Sequence, residues 1–217
     1  MANKACNFLR EVDDLFTDGN VDVTKYNAFT ACHPYCPYEN RKSRPCKNNY
    51  ERINALGAYL YNKLGNIAND FKGEGDNGNR HIEIFIMWLG DKLFKIDNDY
   101  KANLEESYKN NLENHIGNFK YWRVIGSKKY YKESNVLYIS ELYSLLNCIC
   151  KLINEYKKTR RAKKLEGFSL NATRNLKIFM IKLKNNLKNI YDGFKNVDIK
   201  NASTRILILI PQIIDTE

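Results

Sequence analysis

Between Arg80 and Tyr100 the chain reads RHIEIFIMWLGDKLFKIDNDY, with apolar side chains on every face of a helix instead of along one stripe. Ile82, Phe85, Ile86, Leu89, Leu93 and Ile96 recur at helical spacing, and Ile84, Met87, Trp88 and Phe94 fill the flanks. The segment predicts a helix covered by others on nearly all sides, with Phe85, Trp88, Leu89 and Leu93 in the core. Elsewhere the pattern is one-sided. Cys6, Leu9, Val12 and Phe16 predict a short helix over 3–17 that ends at Asp18-Gly19. Ile53, Leu56, Leu60, Leu64, Ile67 and Phe71 predict an amphipathic helix from Asn49 to the GEGDNGN run at 73–79. Leu104, Tyr108, Leu112, His115 or Ile116 and Phe119 mark a helix ending near Gly117, and Ile139, Leu142, Tyr143, Leu146, Ile149, Cys150 and Ile153 mark a long one over 135–156. A last helix is expected at 168–195, with Leu176, Phe179, Leu183, Leu187, Ile190 and Phe194 inward.

No strand alternation of useful length and no internal repeat is present, so the expected class is all-α, a bundle of five to seven helices in a single domain over 1–217. Residues 18–47 interrupt this pattern with Pro34, Pro37, Pro45 and three cysteines, and predict an irregular cysteine-rich loop. The tail at 197–217 is weakly determined.

Six cysteines, Cys6, Cys32, Cys36, Cys46, Cys148 and Cys150, form an even set, four of them before residue 50 in a stretch poor in apolar residues. Structural disulfides would supply what a core cannot there, and one is expected to tie the 32–46 loop or Cys6 to the Cys148/Cys150 helix; spacing alone does not choose the pairing. A zinc site at Cys32, His33, Cys36 and Cys46 is the rival, but adjacent Cys32 and His33 cannot easily face one ion and a second C-x-x-C pair is missing. No metal or cofactor is expected.

The formal charge is +10, yet 25 acidic residues are interspersed with 35 basic ones, so no uniform nucleic-acid-binding field follows. The basic excess is densest in KKTRRAKK: Lys157, Lys158, Arg160, Arg161, Lys163 and Lys164. This patch reads as a solvated interhelical linker; nucleic acid, glycan or acidic lipid is the alternative ligand class. Residues 118–133, with Trp122 among four other aromatics and five cations, could stack bases, but packing of the aromatics onto the bundle is the preferred reading. The amino terminus lacks the apolar stretch of a signal peptide, and Ile206–Ile214, interrupted by Pro211, is too short to span a bilayer; no crossing is expected of the chain as given. Asn171-Ala-Thr173 and Asn201-Ala-Ser203 fit the glycosylation pattern, although an Asn-rich chain forms such triplets by chance. No G-x-S-x-G, phosphate loop or H-E-x-x-H occurs, and His33, His81 and His115 have no nucleophile in suitable spacing, so an enzyme is not expected.

Cys6 with FLREVDDLF, then HPYCPYENRKSRPCKNNYERINALGAYLYNKL, DNGNRHIEIFIMWLGDKLFKIDNDYKANLEESY and LYSLLNCICKLINEY stand in that order. Over about residues 6–160 this resembles the Plasmodium interspersed repeat (PIR) proteins, the Cir/Yir/Bir variant antigens of rodent malaria parasites, and the resemblance fades after about 165. It implies a mostly helical, non-enzymatic ectodomain of a membrane-associated antigen, displayed on or exported to the infected erythrocyte and linked to antigenic variation and immune evasion. The implied partner is a host protein receptor or glycan and not nucleic acid. Relatives usually carry a carboxyl-terminal membrane helix that this chain lacks, so it looks like an ectodomain. Their usual cysteine set corresponds to Cys6, Cys36, Cys46 and Cys150, which implies that the additional Cys32 and Cys148 pair with each other. An intracellular basic helical protein binding nucleic acid or acidic lipid is the alternative.

Overall fold

The computed structural model describes residues 2–39, 42–67, 80–115, 117, 119–125 and 132–166. Chain contacts group into Met1–Asn147 and Cys148–Glu217. In the first unit lie α1 (Ala2–Asp13), a hairpin of β1 (Phe16–Thr17) and β2 (Asn20–Val21), α2 (Val23–Ala28), a 3-10 turn Thr30–Tyr35, and a second hairpin of β3 (Tyr38–Glu39) and β4 (Lys42–Ser43). These are followed by α3 (Asn49–Asn66), α4 (Arg80–Asp97), α5 (Leu104–Asn111), a 3-10 turn Glu113–His115, α6 (Trp122–Ile125) and the start of α7 (Val136–Glu166). The described part of the second unit is the continuation of α7.

Local chemistry explains the helix boundaries. Asp22 caps α2 by accepting from the Thr24 and Lys25 amides, and Asn48 caps α3 by accepting from the Glu51 amide. Asn103 and Glu106 form a reciprocal capping box at α5. After α4, Asn98 takes a left-handed φ of 49° and its amide returns to Phe94 O at 2.8 Å, a termination that Asn tolerates well. Asp18 and Gly19, both at positive φ, close the β1–β2 turn, which is why the first helix stops at Asp13 and not at residue 17.

The centre is α4. Phe85, Trp88, Leu89 and Leu93 are each 0% exposed, as the all-round apolar pattern requires. Trp88 meets Phe16 edge-on and lies near-parallel to Phe85, while Tyr121 reaches Phe85 from before α6. Gly90 lets α7 come close: a Cβ there would stand 2.3 Å from Ile139 Cγ2. Gly90→Ala is therefore expected to cost about 1–3 kcal/mol through overpacking, read as a lowered denaturation midpoint; an unchanged midpoint would show that the two helices are not held at this distance.

Several expectations change. The 18–47 segment is not an irregular loop but holds α2, a 3-10 turn and strands of two short antiparallel pairs, because Asp22 caps one short helix and the β1–β2 and β3–β4 pairings satisfy part of the remaining backbone. The helix predicted to run to Gly117 ends at Asn111, followed by the Glu113–His115 turn. The basic run 157–164 is no linker: it lies within α7, whose helical backbone continues to Glu166 without a Gly or Pro to stop it. Val136–Glu155 is long and apolar enough, by length and composition, to cross a membrane. Core helices share that property, and Val136, Ile139, Leu142, Tyr143 and Leu145 are buried. The expected helix 168–195, the tail, the two glycosylation triplets and the loop at 73–79 lie outside the described residues.

Candidate functional site

Two disulfides form. One is Cys36–Cys46; Cys6 and Cys150 are the other two oxidised cysteines. Cys32 and Cys148 are free thiols, which overturns their expected pairing. The physical reason for Cys32 is its placement: the 3-10 turn aims it inward, where its Sγ donates to Phe29 O at 3.3 Å and it is fully buried. Burial pushes its thiol up to about 11, whereas Cys148 is exposed. A brief maleimide pulse at neutral pH is therefore expected to label Cys148 in the folded protein and Cys32 only after unfolding. Rapid labelling of Cys32 in the folded protein would contradict this burial.

The cysteine-rich segment is held to α3 by a buried carboxylate. Glu51 receives both Arg44 guanidinium nitrogens, Nη1 on Oε2 at 2.8 Å and Nη2 on Oε1 at 2.7 Å, and the Lys47 amide on Oε2 at 2.6 Å. The Arg44 hydrogen bonds hold the Glu51 carboxyl below its ordinary value. A depressed folded-state value means stability that is complete above the unfolded carboxyl pKa of about 4.3 and is lost as pH falls through the folded one. Glu51→Gln should lower stability at neutral pH and flatten its decline below about pH 4.3. Parallel acid limbs for the two proteins would remove this role. At the surface of the same segment Val23 and Tyr38 stand 46% and 60% exposed.

A second polar cluster was not read from the sequence, and it lies inside the apolar helix. Asp91 and Lys92, both buried, interrupt the α4 run. Lys92 Nζ is 2.8 Å from Asp13 Oδ1 and 3.1 Å from Asp91 Oδ2. Asp13 also receives Trp88 Nε1 at 3.2 Å, Tyr143 Oη at 2.7 Å and Asn147 Nδ2 at 3.4 Å; Asp91 receives Ser140 Oγ at 2.9 Å and Lys95 Nζ at 2.9 Å. The ammonium faces the rings of Phe16, Tyr143 and Trp88 at 4.6, 5.4 and 5.9 Å. Burial, then Asp13, push the Tyr143 hydroxyl well above its ordinary value, so it stays a donor. The arrangement joins α1, α4 and α7. The one signal in the sequence was a charged pair inside an otherwise apolar stretch.

The remaining candidates are dispersed. His33 packs on Tyr26, His81 on Tyr61 and His115 on Tyr50. Among the described residues no three His, Cys, Asp or Glu side chains gather as a metal site. In the aromatic and basic stretch, Phe119 packs on Tyr35 and Tyr61, Tyr121 is buried, and Trp122 stacks on Tyr108 at 3.9 Å with Lys132 above it. These three rings pack on the bundle, and Tyr130 and Tyr131 of the same stretch lie outside the described residues. The basic patch, Lys157, Lys158, Arg160, Arg161, Lys163 and Lys164, falls on the distal half of α7.

Comparison with known families gives a match over residues 6–213 to the Plasmodium variant antigen protein Cir/Yir/Bir, extending well past residue 165 where the quoted strings fade. No curated protein and no solved structure matches the chain.

Proposed function

The chain belongs to the Plasmodium Cir/Yir/Bir variant antigen family, and from that premise we propose that it is a non-enzymatic surface antigen ectodomain. It is displayed on or exported to the infected erythrocyte, where it engages a host protein receptor or glycan and serves antigenic variation and immune evasion. The observation that carries the reading, beside the family, is the division of labour in the first unit. Helices α3 and α4 commit their apolar residues to the core, while the cysteine-rich segment, locked by Glu51 and Cys36–Cys46, offers Tyr38 and Val23 to solvent. A rigid scaffold carrying exchangeable loops is the usual way to vary a binding surface without losing a fold. Oxidised cysteines suit an extracellular surface and weigh against the alternative of a nucleic-acid or acidic-lipid binder in a reducing compartment.

The test is a screen of the purified chain against host receptors and erythrocytes, followed by replacement of residues 18–45 with those of a relative. Specific binding should be lost or redirected; binding indifferent to that exchange would refute placement of the contact there. Neutralising Lys157, Lys158, Arg160, Arg161, Lys163 and Lys164 to Gln should leave folding intact and weaken adhesion to anionic surfaces. Exposed charges are screened beyond about 8 Å at physiological salt, so that adhesion should also fall steeply with ionic strength. Loss of sequence-specific DNA or RNA binding in this variant would instead support the intracellular alternative.

A further inference from the structure

The basic run at 157–164 lies within one continuous helix, and the helical period sorts its six cations into two groups. Lys157, Arg160, Arg161 and Lys164 stand at i, i+3, i+4 and i+7, within an arc of about 100° on one face and over about 10.5 Å of axis. Lys158 and Lys163 flank that face on either side. The acidic residues follow the same division. Glu155 precedes Lys158 by three positions and Glu166 follows Lys163 by three, whereas every residue of α7 three or four positions from a cation of the stripe is neutral or cationic. Glu155 and Glu166 share the opposite face with Thr159 and Ala162. Like charges at helical spacing repel and weaken a helix, so the stripe is a concentration of positive charge that the sequence of α7 does not offset.

Resting on the extracellular placement proposed above, we propose that this face of α7 binds a linear sulfated glycan, in addition to the contact assigned to residues 18–45. A row of cations along a helix axis matches anionic groups repeated along an extended chain. Arg160 and Arg161 stand in the middle of the row, and a planar guanidinium suits the paired oxygens of a carboxylate or a tetrahedral oxyanion better than an ammonium does. Lys157 and Lys164 continue it at both ends as point charges. Other features separate the glycan from the nucleic acid and acidic lipid that a basic run also attracts. The oxidised Cys36–Cys46 pair belongs outside a reducing compartment, away from nucleic acid and from the anionic cytoplasmic leaflet. A helix that settles into a lipid surface also needs an apolar face beside its cations, and between Lys157 and Lys164 the one apolar residue is Ala162, on the opposite side.

Binding of this kind releases counterions condensed on the polyanion, so the logarithm of affinity falls linearly with the logarithm of salt. Each cation in contact contributes about 0.7–0.9 to that slope, and a cation outside the contact contributes far less. Face therefore matters as well as charge. Lys157→Gln/Lys164→Gln and Lys158→Gln/Lys163→Gln remove the same charge from the same residue type, and they differ in whether the stripe loses it. Gln is nearly as good a helix former as Lys, so both variants keep α7.

The experiment titrates the full chain into fluorescently labelled heparin over a series of salt concentrations, with circular dichroism as the check on folding. Desulfated heparin, phosphatidylserine vesicles and single-stranded DNA are the comparison probes. Heparin is expected to bind most tightly of the four. Lys157→Gln/Lys164→Gln should lower its affinity about tenfold at physiological salt and make the salt slope shallower by roughly 1.5, while Lys158→Gln/Lys163→Gln should change affinity less than about threefold. Equal losses in the two variants, undiminished binding of desulfated heparin, or vesicles or DNA bound as tightly as heparin would overturn the proposal. Exchange of residues 18–45 leaves α7 untouched, so a chain that ignores heparin but still needs that segment for receptor binding sinks this inference alone. A chain that binds heparin through the stripe but is indifferent to the exchange sinks only the contact at 18–45.

Discussion

Replacing Lys92 with Met is expected to cost about 3–5 kcal/mol, the usual consequence of removing one member of a buried ion cluster and leaving its partner charged. The ammonium is 3% exposed, and the carboxylates it separates, Asp13 and Asp91, are tied to it at 2.8 and 3.1 Å. Met preserves the aliphatic stem against Phe16, Trp88 and Tyr143 but leaves Asp13 and Asp91 without the cation between them. The expected readout is a lower midpoint of urea unfolding with an unchanged slope. Asp13→Asn and Asp91→Asn added to Lys92→Met should recover much of the loss, because neutral groups of similar shape carry no uncompensated charge. If the single and triple variants were equally unstable, packing and not charge would be the contribution of Lys92. Since small domains are stable by only about 5–15 kcal/mol, the single substitution is also expected to lower the yield of folded protein.

Trp88→Ala is the second large effect, at about 3–5 kcal/mol, as for other fully buried large aromatics. Trp88 is 0% exposed, contacts Phe16 and Phe85, and donates to Asp13 at 3.2 Å. Its ring also lies against Gly57 of α3, where a Cβ would stand 3.2 Å from Cζ3, so the absence of a side chain there lets α3 and α4 approach closely at this point. Trp88→Phe should lose less, keeping most of the packing but not the hydrogen bond. Because Trp88 and Lys92 share Asp13, the loss in Trp88→Ala/Lys92→Met should fall short of the sum of the two. Additivity of the two within error would show that they do not act through a common partner. Leu89→Ala, in the same core, is expected at about 2–5 kcal/mol.

Alternation of apolar and polar positions was sufficient to place α3, α4, α5 and the start of α7, and to put Phe85, Trp88, Leu89 and Leu93 inside, because burial of a helix face is a local property of its residue order. The strings around Cys6, Cys46, Trp88 and Cys150 were sufficient for the family as well. What the order of residues could not decide was which groups meet across distance. Asp13 and Lys92 look like ordinary surface charges until α1 and α4 are packed, and Glu51 looks like a first-turn acid until Arg44 folds back onto it. Cysteine pairing depends on the same long-range geometry: Cys32 and Cys36 are four residues apart, yet a 3-10 turn sends one to the Phe29 carbonyl and the other to Cys46. The basic run at 157–164 was misread as a linker for a related reason. Its cations suit a helix as well as a loop, and only the continuous α7 backbone distinguishes the two.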